Sequence, residues 1–104
     1  LPQDSGWIDL SLQNGITARD NTAKYKPQYR KIGNVVYLKG QVNIPAHSSA
    51  ITMSVIPSGY TPYFEGKMQS LVSNNWIDTN GTIYIGTDNT ARNNQNIMTW
   101  WTIN

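Results

Sequence analysis

The sequence predicts an all-β domain, a compact antiparallel β-barrel or β-sandwich, from three observations. Asn, Thr, Ser, Gln and Gly are abundant while only 13% of the residues are charged. Short polar residues with scattered aromatic ones favour strands and turns over helices. Turn signals recur about every ten residues, as in sandwiches and barrels. The apolar residues between the turns alternate, and no segment shows a helical period.

The length and composition of the chain restrict the class of protein. Its 104 residues suffice for one domain, which buries roughly two-thirds of its unfolded surface at this size. The chain has no cysteine, which excludes disulfides and thiolate metal sites. No apolar segment approaches the ~20 residues that span a bilayer, so we expect no membrane partner. Because the chain begins at Leu1 without Met, we expect residues 1–104 to be a single-domain fragment of a longer chain.

The charge of the chain is small but unevenly distributed. A net charge of +2 does not indicate a nucleic-acid partner. Grooves that bind phosphate backbones carry denser basic runs with exposed aromatics between them. We therefore interpret the basic residues of positions 19–39 as a solvated face. These residues are Arg19, Lys24, Lys26, Arg30, Lys31 and Lys39.

The first predicted hairpin is the clearest element. A two-residue turn at Gly33-Asn34 pairs Ile32 with Val35 and Tyr29 with Leu38. Alternation places a core face on one side of this hairpin and of the strand that follows: Tyr29, Val36, Leu38, Val42 and Ile44. The opposite face carries Arg30, Ile32, Val35, Tyr37 and Lys39. That face is unusually apolar for solvent, so we expect a neighbouring subunit or a loop to cover it.

The second predicted hairpin joins residues 67–78 to residues 82–87. Its turn is Asn80-Gly81, the strongest type I′ signal in the chain. This turn places Trp76 opposite Ile85, and Asp78 opposite Ile83, on one side of the sheet.

Three further strands are predicted outside the hairpins, in residues 7–12, 50–56 and 97–103. The first stops at the Asn14-Gly15 turn signal. In the second, alternation places Ile51, Met53 and Val55 on one side. Residues 57–62 predict a turn, and the polar residues 16–27 and 87–95 predict surface loops.

The sequence contains no pattern that indicates catalysis. His47, the only histidine, lies in a Pro-Ala-His-Ser-Ser turn, where a solvated histidine is far commoner than a catalytic one. The six acidic residues are scattered and form no pair of the kind that glycosidases use. Neither metal-ligand spacing nor a phosphate loop occurs. We therefore expect a protein that is not an enzyme and has no catalytic residue, metal site or cofactor.

The four tryptophans and six tyrosines point to binding instead. A saccharide site sets an aromatic face against the C–H side of the sugar and uses Asp, Asn or Arg for the hydroxyls. Trp7, Trp100 and Trp101 lie in strand patterns, so we expect them in the core or at a subunit interface. The candidate saccharide-binding residues lie near predicted loops: His47, Trp76, Asp78, Asp88, Arg92, Tyr60 and Tyr63.

Four segments resemble tail and baseplate proteins of phages that infect Gram-positive bacteria. They are residues 11–15 (SLQNG), 28–40 (QYRKIGNVVYLKG), 56–62 (IPSGYTP) and 78–83 (DTNGTI). The chain is most similar in kind to the C-terminal head domain of receptor-binding proteins in lactococcal phage baseplates. No family segment matches the loops at 16–27, 45–50 and 87–96, where host specificity is expected to vary.

This resemblance implies a compact β-barrel head that assembles as a homotrimer and recognises saccharides of the host cell-wall polysaccharide. It also implies a location on the virion and contacts to other baseplate proteins through an N-terminal part that precedes this chain. Two alternatives remain open from the sequence. One is a structural tail or fibre tip that contacts only other virion proteins. The other is a fragment of a glycan-depolymerising tailspike, which would need β-solenoid repeats and paired acids.

Overall fold

The computed structural model describes residues 3–67 and 74–103, and this part contains eleven β-strands and no helix. All strand pairs within it are antiparallel, which confirms the predicted all-β antiparallel architecture. The strands are β1 (Ile8–Asp9), β2 (Thr17–Ala18), β3 (Gln28–Ile32), β4 (Val35–Lys39), β5 (Gln41–Ile44), β6 (Ile51–Val55), β7 (Gly66–Lys67), β8 (Asn75–Ile77), β9 (Thr82–Ile85), β10 (Arg92–Asn96) and β11 (Thr99–Thr102).

The strands form three sheets around one apolar core. The first sheet has the order β1-β3-β4-β11, the second β10-β5-β2 and the third β6-β9-β8-β7. Each sheet contributes apolar side chains that are almost completely buried, so the sheets share a core and do not fold as separate units. These side chains include Val36, Leu38, Val42, Met53, Ile56, Ile83, Ile85 and Ile97.

The first hairpin confirms the predicted register. Ile32 pairs with Val35 and Tyr29 with Leu38 across the two-residue turn. Gly33 has a φ of +60°, as the first central residue of a type II′ turn requires. The predicted core face is also confirmed, since its five side chains are all buried.

Gly40 turns the chain from the first sheet into the second. It lies between β4 and β5 with a φ of +122°, a conformation that L-residues rarely adopt. A Cβ at this position would lie 2.6 Å from the Pro27 Cα and 2.8 Å from the Lys26 carbonyl oxygen. Only glycine therefore fits the corner, where the backbone of the preceding loop passes directly against it.

The second hairpin has a register one residue away from the predicted one. Trp76 lies opposite Tyr84 and Ile77 opposite Ile83, so the predicted pairing of Trp76 with Ile85 is wrong. The turn is not a two-residue type I′ turn, because the Gly81 N–H donates to the Asp78 carbonyl at 2.9 Å and closes a loop that is one residue longer. A shift of one residue exchanges the two faces of a strand.

Two contacts hold this longer loop in place. The Asn80 Oδ1 accepts the Thr82 N–H at 3.0 Å, and the Gly81 carbonyl accepts the Ile56 N–H at 2.8 Å. The isoleucines of the hairpin are buried, and Trp76 lies on the outer face. The prediction of one strand over residues 67–78 is wrong, because β7 and β8 are separate strands that pair antiparallel with each other, with Lys67 opposite Trp76. The part of this prediction in residues 68–73 lies outside the described residues.

Alternation also fails in β6, because the strand carries a bulge between Thr52 and Ser54. Met53 and Ser54 are both buried, and the Ser54 hydroxyl donates to the Ser11 carbonyl at 2.5 Å. Val55, predicted to lie on the same side as Met53, is instead half-exposed.

Both predicted polar loops contain a short edge strand. Within residues 16–27, β2 pairs with β5, and within residues 87–95, β10 pairs with the other edge of β5. The prediction missed these strands because their side chains are mostly polar and give no apolar alternation, whereas an edge strand in contact with solvent needs none.

The N-terminal and C-terminal strands are shorter than predicted. In residues 7–12 only β1 is paired, and the run ends in the predicted turn, where Asn14 and Gly15 have φ of 59° and 77°. Both values are positive, as a type I′ turn requires. At the other end β11 pairs with β4 and completes the first sheet.

Candidate functional site

Three of the candidate residues, His47, Asp88 and Arg92, form one cluster at the loop end of the second sheet. His47 and Asp88 exchange two backbone hydrogen bonds, of 2.7 Å from the His47 N–H and 3.1 Å from the Asp88 N–H. The Arg92 Nε donates to the Asp88 carboxylate at 2.9 Å, and the Thr90 N–H donates to it at 3.1 Å. The cluster therefore joins the loop after β5 to the loop after β9.

The His47 ring is held by backbone carbonyls on both sides. Its Nδ1 lies 2.8 Å from the Pro45 oxygen and its Nε2 lies 2.6 Å from the Gly86 oxygen. Both ring nitrogens are thus engaged within the protein. The imidazole therefore fastens the loop after β5 to the end of β9.

The Asp88 carboxyl is held in its ionised form by these contacts. The hydrogen bond from Arg92, the Thr90 N–H and the charges of Arg92 and His47 lower its pKa from the ordinary value of 3.8. A lowered pKa in the folded state means that the folded protein binds fewer protons than the unfolded chain. The carboxylate therefore stabilises the fold above pH 3.8, and this contribution is lost as the pH falls through the folded-state pKa.

We expect the Asp88 carboxyl to titrate below 3.8, together with a loss of hydrogen-exchange protection at the His47 and Asp88 N–H groups. Carbonyl-detected NMR measures the titration, and exchange rates over the same acid range measure the loop. In Asp88→Asn the protection should lose this part of its pH dependence. Titration of Asp88 at or above 3.8 would contradict the arrangement.

Trp76 forms a second region, on the outer face of the third sheet. Its ring stacks on that of Tyr84, with centroids 5.1 Å apart and an interplanar angle of 21°. Beside it is a shallow hollow of about 320 Å³ lined by Trp76, Glu65, Gly66 and Asn74. An aromatic ring, a carboxylate and a carboxamide are the groups that a small hydroxylated ligand needs.

The Trp76 hollow is linked to the His47 cluster through the end of the hairpin. The Gly86 N–H donates to the Asn74 carbonyl at 2.5 Å, and the Gly86 carbonyl contacts His47. Asp78 lies two residues beyond Trp76, on the same face of the strand, at the opposite end of the hairpin. The structure thus connects the Trp76 hollow to the His47 cluster through the Asn74–Gly86 pair. Asp78 lies away from that cluster.

The two candidate tyrosines occupy different environments. Tyr60 packs edge-on against Tyr29 at 5.3 Å, and its carbonyl accepts the Trp101 indole N–H at 2.7 Å, so it supports the core. Tyr63 is exposed and contacts the exposed ring of Phe64 at 6.1 Å. Neither tyrosine lines the Trp76 hollow.

The site also includes residues that the sequence did not nominate. Glu65, Asn74 and Tyr84 surround Trp76, and Tyr84 lies directly opposite it in the observed register, where the sequence predicted Ile85. The sequence contains one signal for the observed register of this hairpin. The Asp-x-Asn-Gly pattern of the turn also suits a three-residue loop whose last residue is glycine. Glu65 precedes β7 and Asn74 precedes β8, and the antiparallel pairing of these two strands, which the sequence did not predict, brings them together.

The outer face of the first sheet is an apolar surface, which we call the Trp100 face. A groove of about 540 Å³ crosses it between Trp7 and Trp100, above Tyr37. Its aromatic and methionine side chains remain widely exposed: Trp7 by 42%, Tyr37 by 40%, Met98 by 66% and Trp100 by 64%. Trp101, in contrast, is buried in the core, which is one of the two positions that the sequence predicted for it.

Within residues 3–67 and 74–103, no three His, Cys, Asp or Glu side chains lie close enough together to hold a metal ion. The same residues include no helix that is long and apolar enough to cross a membrane.

Comparison with protein-family models, with curated proteins and with solved structures found no match for this chain.

Proposed function

We propose that the chain is a host-recognition head of a phage tail or baseplate, which binds cell-surface saccharides of a Gram-positive bacterium without cleaving them. The observation that carries the proposal is the Trp76 hollow, where an aromatic ring lies beside a carboxylate and a carboxamide. The resemblance of four chain segments to phage tail and baseplate proteins supports the same function and a location on the virion. In this role the chain is one compact, barrel-like head, attached to other baseplate proteins by a preceding N-terminal part.

The chemistry of the hollow suits a single sugar residue. The C–H face of a pyranose packs against the exposed side of the Trp76 indole, while Tyr84 supports the other side at 5.1 Å. Glu65 accepts hydrogen bonds from sugar hydroxyls, and the Asn74 carboxamide can donate and accept. His47, Asp88 and Arg92 fix the neighbouring loops, and the guanidinium N–H groups of Arg92 that do not bind Asp88 can donate to a longer saccharide.

Binding at one such hollow is weak, because a small polar ligand buries few apolar atoms. Several copies that engage one polysaccharide raise the overall affinity by orders of magnitude without any new contact. A trimeric head on a virion with many heads supplies this multivalency. The proposal includes no bond cleavage, and the formation of shorter products from host polysaccharide would contradict it.

We propose the Trp100 face as the surface through which three copies associate. Five side chains on and beside this face (Trp7, Tyr37, Phe64, Met98 and Trp100) are each 40–70% exposed. A whole aromatic side chain has a surface area of about 150–250 Å². At these exposed fractions the five side chains together present roughly 500 Å² of apolar surface. That value is near the upper end for the largest patch of a monomer, and a large part of the ~800 Å² that each partner contributes to a stable interface.

The test of the saccharide site is titration of the chain with cell-wall polysaccharide fragments from a Gram-positive host, by calorimetry or ligand-observed NMR. We expect saturable binding that Trp76→Ala weakens about tenfold, because the mutation removes the aromatic face. The control is Trp100→Ala, which also replaces a tryptophan by alanine, but on the first sheet. The per-site affinity for a short fragment should be unchanged in this variant.

Equal binding by wild type and Trp76→Ala would contradict the site. The absence of binding at millimolar saccharide would contradict the function and favour a structural role at the tail tip. Circular dichroism and thermal unfolding of each variant separate loss of binding from loss of fold.

A further inference from the structure

Two basic side chains of the cluster at positions 19–39 contact the Tyr25 ring, and a third, Lys39, lies near it with its ammonium 5.5 Å from the centre of the Trp7 ring. The Arg19 guanidinium carbon lies 3.8 Å from the centre of the Tyr25 ring, and the Lys24 ammonium lies 5.2 Å from it. Lys39 lines the same hollow, which has a volume of about 280 Å³, together with Lys24 and Tyr25. Lys24, Tyr25 and Lys39 therefore share one concave surface.

The floor of this Tyr25 hollow is held by a chain of hydrogen bonds. The Arg19 guanidinium donates to the Gln41 Oε1 at 2.7 Å, and the Gln41 Nε2 donates to the Asn96 Oδ1 at 2.8 Å. Arg19 is thus fixed by Gln41 and by the Tyr25 ring together. Arg19 in turn holds Tyr25 and Gln41, two residues that line the hollow, and groups positioned in advance lower the entropy that a ligand must overcome.

The acidic residues nearby neutralise this hollow only in part, because the pKa of Asp9 is lowered mainly by hydrogen bonds from Gln28 and Lys26 and less by the charge of Lys39. Asp9 pairs with Lys26 at 3.0 Å, and Asp20 accepts hydrogen bonds from Thr22 and lies 3.9 Å from Arg19. In the described part of the chain, neither Lys24 nor Lys39 has a carboxylate within 4 Å. The Lys39 ammonium donates to the Ala23 carbonyl, and its other N–H groups remain available for a ligand.

We propose that the Tyr25 hollow binds the phosphate or carboxylate group of an acidic sugar. Two ammonium groups that form no ion pair within the described residues match an oxyanion in charge, and the carboxamides of Gln41 and Asn96 match ring hydroxyls. The Met98 side chain at the edge of the hollow supplies an apolar contact for the sugar ring. This subsite is separate from the Trp76 hollow, and it stands even if that hollow binds no sugar.

The test is NMR titration of the ¹⁵N-labelled chain with glucose 1-phosphate, glucuronate and glucose. We expect both acidic sugars to shift the Gly40, Gln41 and Asn96 amides, and glucose to shift them far less. A stronger effect of glucose 1-phosphate would identify phosphate as the preferred group, and a stronger effect of glucuronate would identify carboxylate. The affinity should fall as sodium chloride is raised from about 50 to about 300 mM, because salt screens exposed charges.

Charge-neutral variants separate a specific subsite from general attraction. Lys24→Gln and Lys39→Gln should each weaken binding about two- to fivefold. Lys31→Gln removes the same charge from a lysine that donates to the Gly59 carbonyl outside the hollow, and it should change the affinity little. Equal weakening by all three variants, or equal binding of glucose and glucose 1-phosphate, would overturn the proposal.

Discussion

Gly40→Ala should destabilise the protein by about 3 kcal/mol or more and lower the melting temperature by more than about 12 °C. The positive φ of +122° is unfavourable for any L-residue. The new methyl group would also meet the backbone of Pro27 at 2.6 Å, where no flexible side chain can move aside. Because Gly40 joins the first two sheets, strain there separates β4 from β5 or displaces the loop before β3.

Gly59→Ala is the matched control for this variant. Gly59 also has a positive φ, of +92°, but a Cβ there would meet nothing within 4 Å. Its alanine variant therefore measures the backbone strain alone, which we expect to cost about 1–2 kcal/mol. Thermal or urea unfolding of both variants measures the difference. If Gly40→Ala were no less stable than Gly59→Ala, the close approach at the corner would be wrong.

Trp100→Ala should convert a trimer into a monomer. Trp100 is 64% exposed on the apolar groove of the first sheet, and an aromatic side chain at the centre of an interface often contributes 2 kcal/mol or more. A loss of about 2 kcal/mol at each of three contacts weakens association by several orders of magnitude. Sedimentation or light scattering between about 1 and about 100 µM measures the mass.

The fold should survive this substitution, since the Trp100 side chain lies outside the core. Trp76→Ala, on the third sheet, is the control and should remain trimeric. A wild-type chain that is monomeric over the whole concentration range would contradict association through this face. So would a Trp100→Ala variant with the wild-type mass.

The two hairpins illustrate how far turn signals determine a register. At Gly33-Asn34 the residues suit a two-residue turn, and the strands alternate on both sides, so the sequence predicts each pair correctly. At Asn80-Gly81 the same logic fails by one residue. There a contact from Ile56, distant in sequence, and the Asn80 side chain stabilise the longer loop. The choice between loops of two and three residues thus depended on tertiary contacts.

The polar edge strands and the β6 bulge were not predictable for a related reason. Periodicity reports burial, and the side chains of β10 are mostly exposed, so they carry no such signal. In β6 a buried serine satisfies its hydroxyl with the Ser11 carbonyl, a partner 43 positions away. The polarity of Ser54 suggested an outward position that this hydrogen bond overrides.

The candidate site was predictable in its residue types and only partly in its grouping. Composition and loop positions nominated His47, Asp88 and Arg92, and the structure brings these three together. Trp76 stands on another sheet, with Glu65 and Asn74 as its neighbours in the hollow. Grouping of this kind follows from strand order and register, which the sequence does not contain as a local pattern.

The most direct test of saccharide recognition is an intermolecular NOE experiment between a host cell-wall oligosaccharide and the isotope-labelled chain. The account predicts contacts from sugar C–H protons to the Trp76 indole. Amide shift changes should accompany these contacts at Glu65 and Asn74, the other sides of the hollow. Saturable binding whose contacts lie elsewhere, or no contact at all at millimolar oligosaccharide, would contradict it.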